Sequence, residues 1–396
     1  SQETEGAVTT QWYEDYEYTI NQELKKLVLL ASKGNFVSGS VTKITVPART
    51  EIDGEIYTTV LDNAGNKADT KGLWYNDSSV LRTITIEEGV ELAEDCTYLF
   101  AGLTKLTTLE ISSLNTSDVS RMDNMFQNCS GLTSLNVGSF DAKNVRSMSG
   151  MFSGCEALEE LDLRTFTTSS VTTMKQMFDG CKALKELDLG TFNTGAVEDM
   201  GYMFRDCQSM RYLEIGSFDT KNVTDMSYMF ANCKSLMELD VSNFNTAKVT
   251  GFDEMFGSLS PYVTTLDLRS FNFRDLSKSY TDRFFGYSWA RSKFINLYLP
   301  VLAMKQYDFN VLPNLARIYY AGDEEQWELL GNTVPSTVEI TSNYQDPEEP
   351  VKTPYTVMFD ANGGTVEITE KTVTEGEKYG TLPEAAHEGH TFLGWF

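Results

Sequence analysis

Histidine is nearly missing from this sequence, which contains only His387 and His390 against 57 aspartates and glutamates. The segment between them, His-Glu-Gly-His, lacks the i, i+4 spacing of a zinc-binding H-E-x-x-H helix. There is also no G-x-S-x-G elbow, no phosphate-binding loop and no G-x-G-x-x-G after a strand. We therefore expect no catalytic site, no bound metal and no cofactor, and we predict that the protein is not an enzyme.

Long apolar runs and positive charges are scarce as well. No stretch approaches the ~18 consecutive apolar residues that cross a bilayer, so the sequence predicts no membrane span. The 32 lysines and arginines leave a net charge of −25, which argues against nucleic acid as a partner. The N-terminal residues 1–5 show no basic segment followed by an apolar one, so we expect that the signal peptide and the anchor are not in this chain.

What the sequence has in abundance is self-similarity. A Met-Phe-x-x-Cys motif recurs at steps of 26 residues, and two more copies carry Leu103 or Leu259 at the cysteine position. A fixed period between ~20 and ~50 residues is the signature of a solenoid. The five complete copies begin at Met125, Met151, Met177, Met203 and Met229.

Each period predicts one coil of the solenoid with a single buried face. Its first part follows L-x-x-L-x-L, and the alternation at its end predicts a strand. A phenylalanine and a polar turn come next, and apolar residues at i, i+3, i+4 and i+7 then predict a short helix behind an N-cap threonine. No coil buries this face alone, so stacked copies must share one core. In one copy the helical positions are Thr224, Met226, Met229, Phe230 and Cys233.

The pattern predicts five regions along the chain. The strand signature continues in degenerate form upstream, at 41–46 and 81–86, and downstream, at 294–299 and 315–320. A stretch rich in proline and glutamate predicts a linker. After it the sequence predicts a strand and a tight turn at 362–364. We predict an N-terminal cap with degenerate repeats over 1–80, regular repeats over 81–275, degenerate repeats and a cap over 276–342, a linker over 343–354, and a small β-rich module over 355–396.

A column of five cysteines permits two interpretations. Cysteines at a constant register could cross-link or bind zinc. Leu103 and Leu259 occupy the same register, however, which a core position tolerates and a ligand position does not. Stacked helices also lie ~8–10 Å apart, beyond the ~4.4–6.8 Å between the Cα atoms of a disulfide. We interpret the column as buried core; its members are Cys129, Cys155, Cys181, Cys207 and Cys233.

A second column is acidic. Strand alternation exposes the residue between the last two apolar positions of each strand, and neighbouring strands lie ~4.7–4.9 Å apart. We call this set the carboxylate column, although one member is an amide: Glu110, Asn136, Asp162, Asp188, Glu214, Asp240 and Asp267. Two residues before it runs the flanking column, which contains Glu160, Glu186, Tyr212 and Glu238.

Two interpretations of these exposed charges remain open. Like charges across neighbouring strands are destabilising, so a basic partner or bound cations would relieve the repulsion and make this face the binding surface. Alternatively, water and salt screen the charges, with help from nearby cations. Those cations are Arg164, Lys185, Arg211 and Arg269.

The repeat resembles a known family. The period at 236–259, read with its neighbours, is similar to BspA-like leucine-rich repeat surface proteins, and more narrowly to the repeat subfamily of Mycoplasma surface lipoproteins. The similarity covers roughly residues 80–275, and residues 316–330 resemble the closing segment of such proteins. With this resemblance we predict an α/β solenoid, a right-handed leucine-rich-repeat array of strand–turn–short helix coils.

The C-terminal segment carries a second resemblance. Residues 355–366, 376–383 and 389–396 resemble the internalin-type B-repeat, also called the Listeria–Bacteroides repeat, a small β-rich module of bacterial surface proteins. The family continues beyond the positions that correspond to 394–396, so we expect this copy to be partial.

Together the resemblances imply an extracellular protein of the bacterial cell surface. They imply an adhesin-like interaction module that binds a protein or glycan of a host or bacterial surface through its solenoid, and we expect a monomer. The alternative is a spacer that binds nothing and holds another surface domain away from the cell.

Overall fold

The structure is a computed structural model that describes residues 12–37, 42–64, 66–273, 283–286, 292–346, 354–359, 365–366, 370–374 and 385–386. The chain divides into two compact units, Ser1–Tyr344 and Gln345–Phe396. Both histidines, Val41 and the turn predicted at 362–364 lie outside the described residues.

Short strands make up most of the regular structure. In chain order they are β1 (Tyr16–Asn21), β2 (Lys26–Ser32), β3 (Lys43–Val46), β4 (Arg49–Ile52), β5 (Glu55–Leu61), β6 (Thr83–Ile86), β7 (Glu91–Leu92), β8 (Thr108–Glu110), β9 (Glu186–Asp188), β10 (Tyr212–Glu214), β11 (Thr265–Asp267), β12 (Asn296–Leu299), β13 (Arg317–Tyr320), β14 (Glu339–Thr341), β15 (Pro354–Met358), β16 (Thr365–Val366), β17 (Glu370–Thr374) and β18 (Ala385–Ala386). One α-helix is described, α1 (Glu324–Leu330). The described 3-10 helices are Trp12–Asp15, Asn35–Val37, Lys67–Asp69, Tyr75–Asp77 and Phe309–Val311.

The first unit is a repeat solenoid, as the period predicts. Consecutive coils pair in parallel one period apart, with Glu186 opposite Tyr212 and Asp188 opposite Glu214. Parallel pairing also joins β3, β6 and β8 upstream and β11 to β14 downstream. The degenerate strand patterns are therefore confirmed in the described residues. A second ladder of parallel bridges runs on another side of the coils, from Asp95 to Gly251.

The short helix predicted for each coil is wrong. Over the described repeats, 94–273, the segment around each Met-Phe pair is a run of turns. The backbone N–H groups of Met125 and Cys129 donate to the carbonyls of Met122 and Phe126, three residues earlier, at 3.3 and 3.1 Å. An α-helix would instead bond each N–H to the fourth residue before it.

The N–H groups of every second residue bond outside their own coil. Those of Asn124 and Phe126 donate to Ser149 and Met151 of the next coil, at 2.7 and 2.9 Å. Asn124 and Asn128 have φ angles of 54° and 58°, in the left-handed region, so the chain reverses at every fourth residue. Two successive four-residue turns thus bury positions i, i+3, i+4 and i+7. Because a helix face has the same spacing, the apolar pattern alone could not separate the two structures.

The core is a set of columns that run through every coil. Phenylalanines of successive coils stack with ring centroids 5.5–5.8 Å apart and nearly parallel planes. Aromatic pairs contribute roughly 0.5–1.5 kcal/mol beyond the area that they bury, so this column links the coils. Its members are Phe100, Phe126, Phe152, Phe178, Phe204, Phe230 and Phe256.

The cysteine column is core, as interpreted. All six cysteines are free and buried. The Sγ of Cys129 donates to the carbonyl of Phe100 at 3.1 Å, and Cys155 repeats this bond to Phe126 at 3.2 Å. Burial raises the pKa of the Cys155 thiol to about 12. The thiols therefore stay protonated and serve as donors between coils.

The N-terminal end of the core is covered by a five-stranded sheet, in which β1, β2, β5 and β4 lie side by side and β7 pairs with β5. Trp74 stacks on Phe100 with ring centroids 5.4 Å apart, so it continues the phenylalanine column. Its indole N–H donates to the hydroxyl of Tyr16 at 2.9 Å. Both side chains are almost fully buried, which shields the first coil from water.

At the C-terminal end, β11 to β14 form a parallel sheet, and α1 lies between β13 and β14 in the chain. Asp323 and Gln326 form a capping box at the start of α1. Within the described residues no helix has the length and apolarity to cross a membrane. In the second unit, β15 pairs with β17 and β16 pairs with β18, both antiparallel.

Candidate interaction face

The carboxylate and flanking columns lie on one face of the parallel strands. In β9, Leu187 is buried while Glu186 and Asp188 on either side are exposed. Glu214 and Asp267 are half-buried, and the other members of the two predicted sets are exposed. The fold therefore brings the eleven residues of the two columns onto a common face at steps of one coil.

The residues of the carboxylate column also accept a backbone hydrogen bond at the turn that follows the strand, a role that the sequence interpretation missed. In six coils the side-chain oxygen of the column residue accepts a hydrogen bond from the backbone N–H two residues later, at 2.9–3.1 Å. This bond ends the strand in a tight turn. Asn136 accepts it at 3.0 Å, as well as Asp188 does at 2.9 Å. An uncharged amide oxygen therefore accepts this bond as well as a carboxylate does, so the turn does not require a charge.

Ion pairs compensate only part of the charge. Arg164 bonds Asp162 through two nitrogens, at 2.9 and 2.7 Å, and these bonds hold the pKa of Asp162 down at about 2. Arg269 pairs with Asp267 in the same way. Across the described residues, no cation lies at ion-pairing distance from six other carboxylates of the two columns, namely Glu110, Glu160, Glu186, Asp188, Glu238 and Asp240.

The exposed carboxylates border an open recess. A hollow of about 440 Å³ lies over two adjacent coils, and its walls include Glu160, Glu186 and Asp188. Lys185 lies at its rim, paired with Glu159 at 2.6 Å. Among the described residues no group of three or more histidines, cysteines or carboxylates has the geometry to hold a metal ion. The recess therefore offers charge and shape without a metal cage.

Beyond Asp267 the carboxylate column changes character. The strand register places Tyr298 opposite Asp267, Tyr319 opposite Tyr298 and Thr341 opposite Tyr319. The rings of Tyr298 and Tyr319 stack with centroids 4.6 Å apart, and the ring of Tyr344 packs against both, at 5.2 and 4.7 Å. We call these three residues the tyrosine stack.

The tyrosine stack carries a cation at one end. The guanidinium of Arg269 lies 5.1 Å from the ring centroid of Tyr298 and 5.9 Å from that of Tyr344. Burial is the main reason that the pKa of Tyr298 rises to about 12. The sequence held a signal for this cluster, because the downstream strand patterns put Tyr298 and Tyr319 at the exposed positions. The predicted carboxylate column ended at Asp267, one strand before Tyr298 and two strands before Tyr319.

Comparison with known proteins places the chain among bacterial repeat proteins. A family model described as Mycoplasma protein of unknown function, DUF285, matches residues 94–211 and 182–293, which together span just over half of the 396 residues. The Listeria-Bacteroides repeat domain matches residues 355–396. No curated protein sequence gives a significant match.

Several solved structures are similar at low identity. A leucine-rich repeat protein from Bacteroides ovatus is 16% identical with a TM-score of 0.42, over 83% of this chain and 77% of that one. The pneumococcal vaccine antigen PcpA is 14% identical with a TM-score of 0.38, over 82% and 91% of the two chains. A leucine-rich repeat protein of T. pallidum is 15% identical with a TM-score of 0.32, over 56% and 88%.

Proposed function

The chain belongs to the family described as Mycoplasma protein of unknown function, DUF285, and on this premise we propose that it is an adhesin-like binding module of a bacterial surface. It binds a protein or glycan of a host or bacterial surface through the face that carries the carboxylate and flanking columns. It acts without catalysis, and its C-terminal unit, which matches a repeat domain named for Listeria and Bacteroides, fits a surface location.

One observation carries the proposal: the face holds more charge than its fold needs. Asn136 satisfies the strand-end turn without a charge, yet the equivalent residues of the neighbouring coils, Glu110 and Asp162, are acidic. Two more column carboxylates, Asp188 and Asp240, have no ion pair among the described residues. Because unpaired like charges on adjacent strands are destabilising, a binding role explains why this face retains them.

The test is a binding screen with a matched pair of variants. The purified chain is immobilised and exposed to extracellular-matrix proteins, mucins and glycans. For each ligand that binds saturably, the triple variant Asp162→Asn, Asp188→Asn and Asp240→Asn is compared with Asp118→Asn, Glu198→Gln and Glu325→Gln. The second variant removes the same charge from exposed positions outside the two columns. We expect only the first variant to weaken binding, by about tenfold, at low salt.

Two outcomes contradict the proposal. If no ligand of any class binds the intact chain, the spacer alternative takes its place. If both triple variants weaken binding equally, the effect belongs to the net charge and not to this face. The asparagines keep the turn acceptor that Asn136 provides naturally, so a folding defect does not explain a loss that is confined to the first variant.

A further inference from the structure

The tyrosine stack has one covered end and one open end. Arg269 covers the Tyr298 end. At the other end, the register sets Thr341, a small and exposed residue, beside Tyr319. Among the described residues, the only rings against Tyr319 are those of Tyr298 and Tyr344, and no cation lies over it. Within the described residues, the half-buried Tyr319 ring therefore has no ring or cation on the side that faces the edge strand β14.

The covered end shows which chemistry the stack accepts. There a guanidinium lies over a tyrosine ring while two of its nitrogens donate hydrogen bonds to the carboxylate of Asp267. A planar guanidinium suits this position because it stacks on the ring and still presents its N–H fork to the acid. The stack thus already binds one arginine of its own chain.

The open end of the stack also has a tyrosine ring and a carboxylate on neighbouring strands. Glu339 lies on β14 within 3.5 Å of Arg317, and both side chains are more than half exposed. An exposed pair of this kind contributes little stability, so the carboxylate can turn to an incoming cation. Glu339 lies opposite Arg317, two residues before the Tyr319–Thr341 pair, so strand alternation puts the acid and the ring on the same face of neighbouring strands. No guanidinium of the described residues lies over that ring.

Charge complementarity selects the partner. The same face continues from the stack past Asp267, which pairs with Arg269, to the unpaired carboxylates Glu238 and Asp240 of the coil before that. The whole chain carries a net charge of −25, so an acidic partner is repelled and a neutral one gains nothing from the field. A basic segment gains at the ring, at Glu339 and along the column.

We propose that the open end of the tyrosine stack is an arginine-binding anchor for a basic, extended segment of a partner protein. Its arginine stacks on Tyr319 and bonds Glu339, and its further cations lie along the carboxylate column. This inference rests on the proposed function and names the chemistry of its partner. The anchor sets where the segment begins, and the column contributes most of the salt-dependent attraction.

The experiment uses the full chain and a fluorescein-labelled peptide with arginine at alternate positions and serine between them, measured by fluorescence anisotropy. A twin peptide carries citrulline, which keeps the planar shape and lacks the charge. We expect Tyr319→Leu to weaken binding roughly two- to thirtyfold, as loss of a cation–π contact does, and Tyr319→Phe to keep most of the affinity. The citrulline peptide should bind about tenfold more weakly.

Two further variants make the test independent of folding. Thr341→Phe adds a ring beside Tyr319 and should block the open end without removing any residue of the stack. Tyr262→Leu removes an exposed tyrosine that belongs to neither column nor to the stack, and should leave binding unchanged.

The anchor is wrong if Tyr319→Leu and Thr341→Phe bind the arginine peptide like the unmodified chain, or if the citrulline peptide binds equally well. Tighter binding of a neutral glycan, lost in Tyr319→Leu, would overturn it in favour of sugar stacking. Failure here leaves the proposed function standing if the triple variant Asp162→Asn, Asp188→Asn and Asp240→Asn still weakens a surface ligand. Conversely, peptide binding without any surface ligand would contradict the proposed function alone.

Discussion

At the scale of single residues, the same side chain can serve the fold and the surface at once. Asp188 ends its strand by accepting the N–H of Gly190, and it also adds an unpaired charge to the exposed face. Asn136 performs the first task alone. The two roles therefore separate on substitution, because an amide keeps the acceptor and removes the charge.

Substitutions at Asp188 should show this separation in stability. We expect Asp188→Ala to lower the free energy of unfolding by about 0.5–1.5 kcal/mol, since the N–H of Gly190 loses its partner. Asp188→Asn should be neutral or slightly stabilising, because it relieves repulsion along the column. Urea unfolding of both variants at low salt measures the difference. Equal losses in the two variants would show that the turn does need the charge.

At the scale of the structural element, the coil is closer to a stack of turns than to a strand and a helix. Its backbone donors alternate between a carbonyl three residues back and a carbonyl of the next coil. The alternation depends on left-handed residues at fixed places, such as Asn128, Gly154, Gly180 and Asp206. Glycine and asparagine tolerate that conformation best, and this explains their frequency at the position.

A pair of glycines should test the element. Gly180 has a φ of 75°, and an added Cβ would find its nearest neighbour at 3.6 Å, so Gly180→Ala is penalised by backbone strain alone. We expect a loss of about 1 kcal/mol. Gly190→Ala is the control, because Arg164 and Ser242 occupy the same place in other coils, and it should change stability by less than about 0.5 kcal/mol. Thermal or urea unfolding gives both values; a harmless Gly180→Ala would contradict the turn assignment.

Much of this element was readable from the sequence, and the limits have physical causes. The period, the strand positions and the buried cysteines followed from spacing, because stacking makes each core column identical from coil to coil. The helix did not, since two four-residue turns bury the same positions as a helix face. The eleven residues of the two columns were found by alternation. Tyr298 and Tyr319 occupy the equivalent positions of the degenerate downstream strands, but the columns were traced on acidic residues and ended at Asp267. Whether the face binds a partner stays a prediction.

At the scale of the whole molecule, the regular coils are structurally equivalent to one another. In the regular repeats the core columns and many bonds between coils recur at the same step, as with Cys129 to Phe100 and Cys155 to Phe126. In such an array, stability is approximately the sum of coil terms and neighbour terms. A coil can therefore be removed without changing the contacts that its neighbours make.

Deletion of one period should leave a folded protein. We expect removal of residues 160–185 to join Glu159 to Glu186 within a strand and to restore each bond with the next available partner. Far-UV circular dichroism per residue should be unchanged, and the solenoid should shorten by about 4.8 Å. Removal of half a period, 160–172, is the control and should unfold the array by setting a turn against a strand. Similar outcomes for the two deletions would refute the coil boundaries.

The buried thiols also bear on how such a protein survives oxidising surroundings. Thiol–disulfide exchange requires an accessible thiolate, and burial denies both access and ionisation to Cys129, Cys155 and the rest of their column. Before the coils stack, the five thiols of this column are accessible and can form disulfides. The thiols are therefore exposed to oxidation only while the chain is unfolded, so the coils must stack faster than disulfides form. In the folded array these thiols are inaccessible, so no disulfide isomerase is needed to correct wrong pairings.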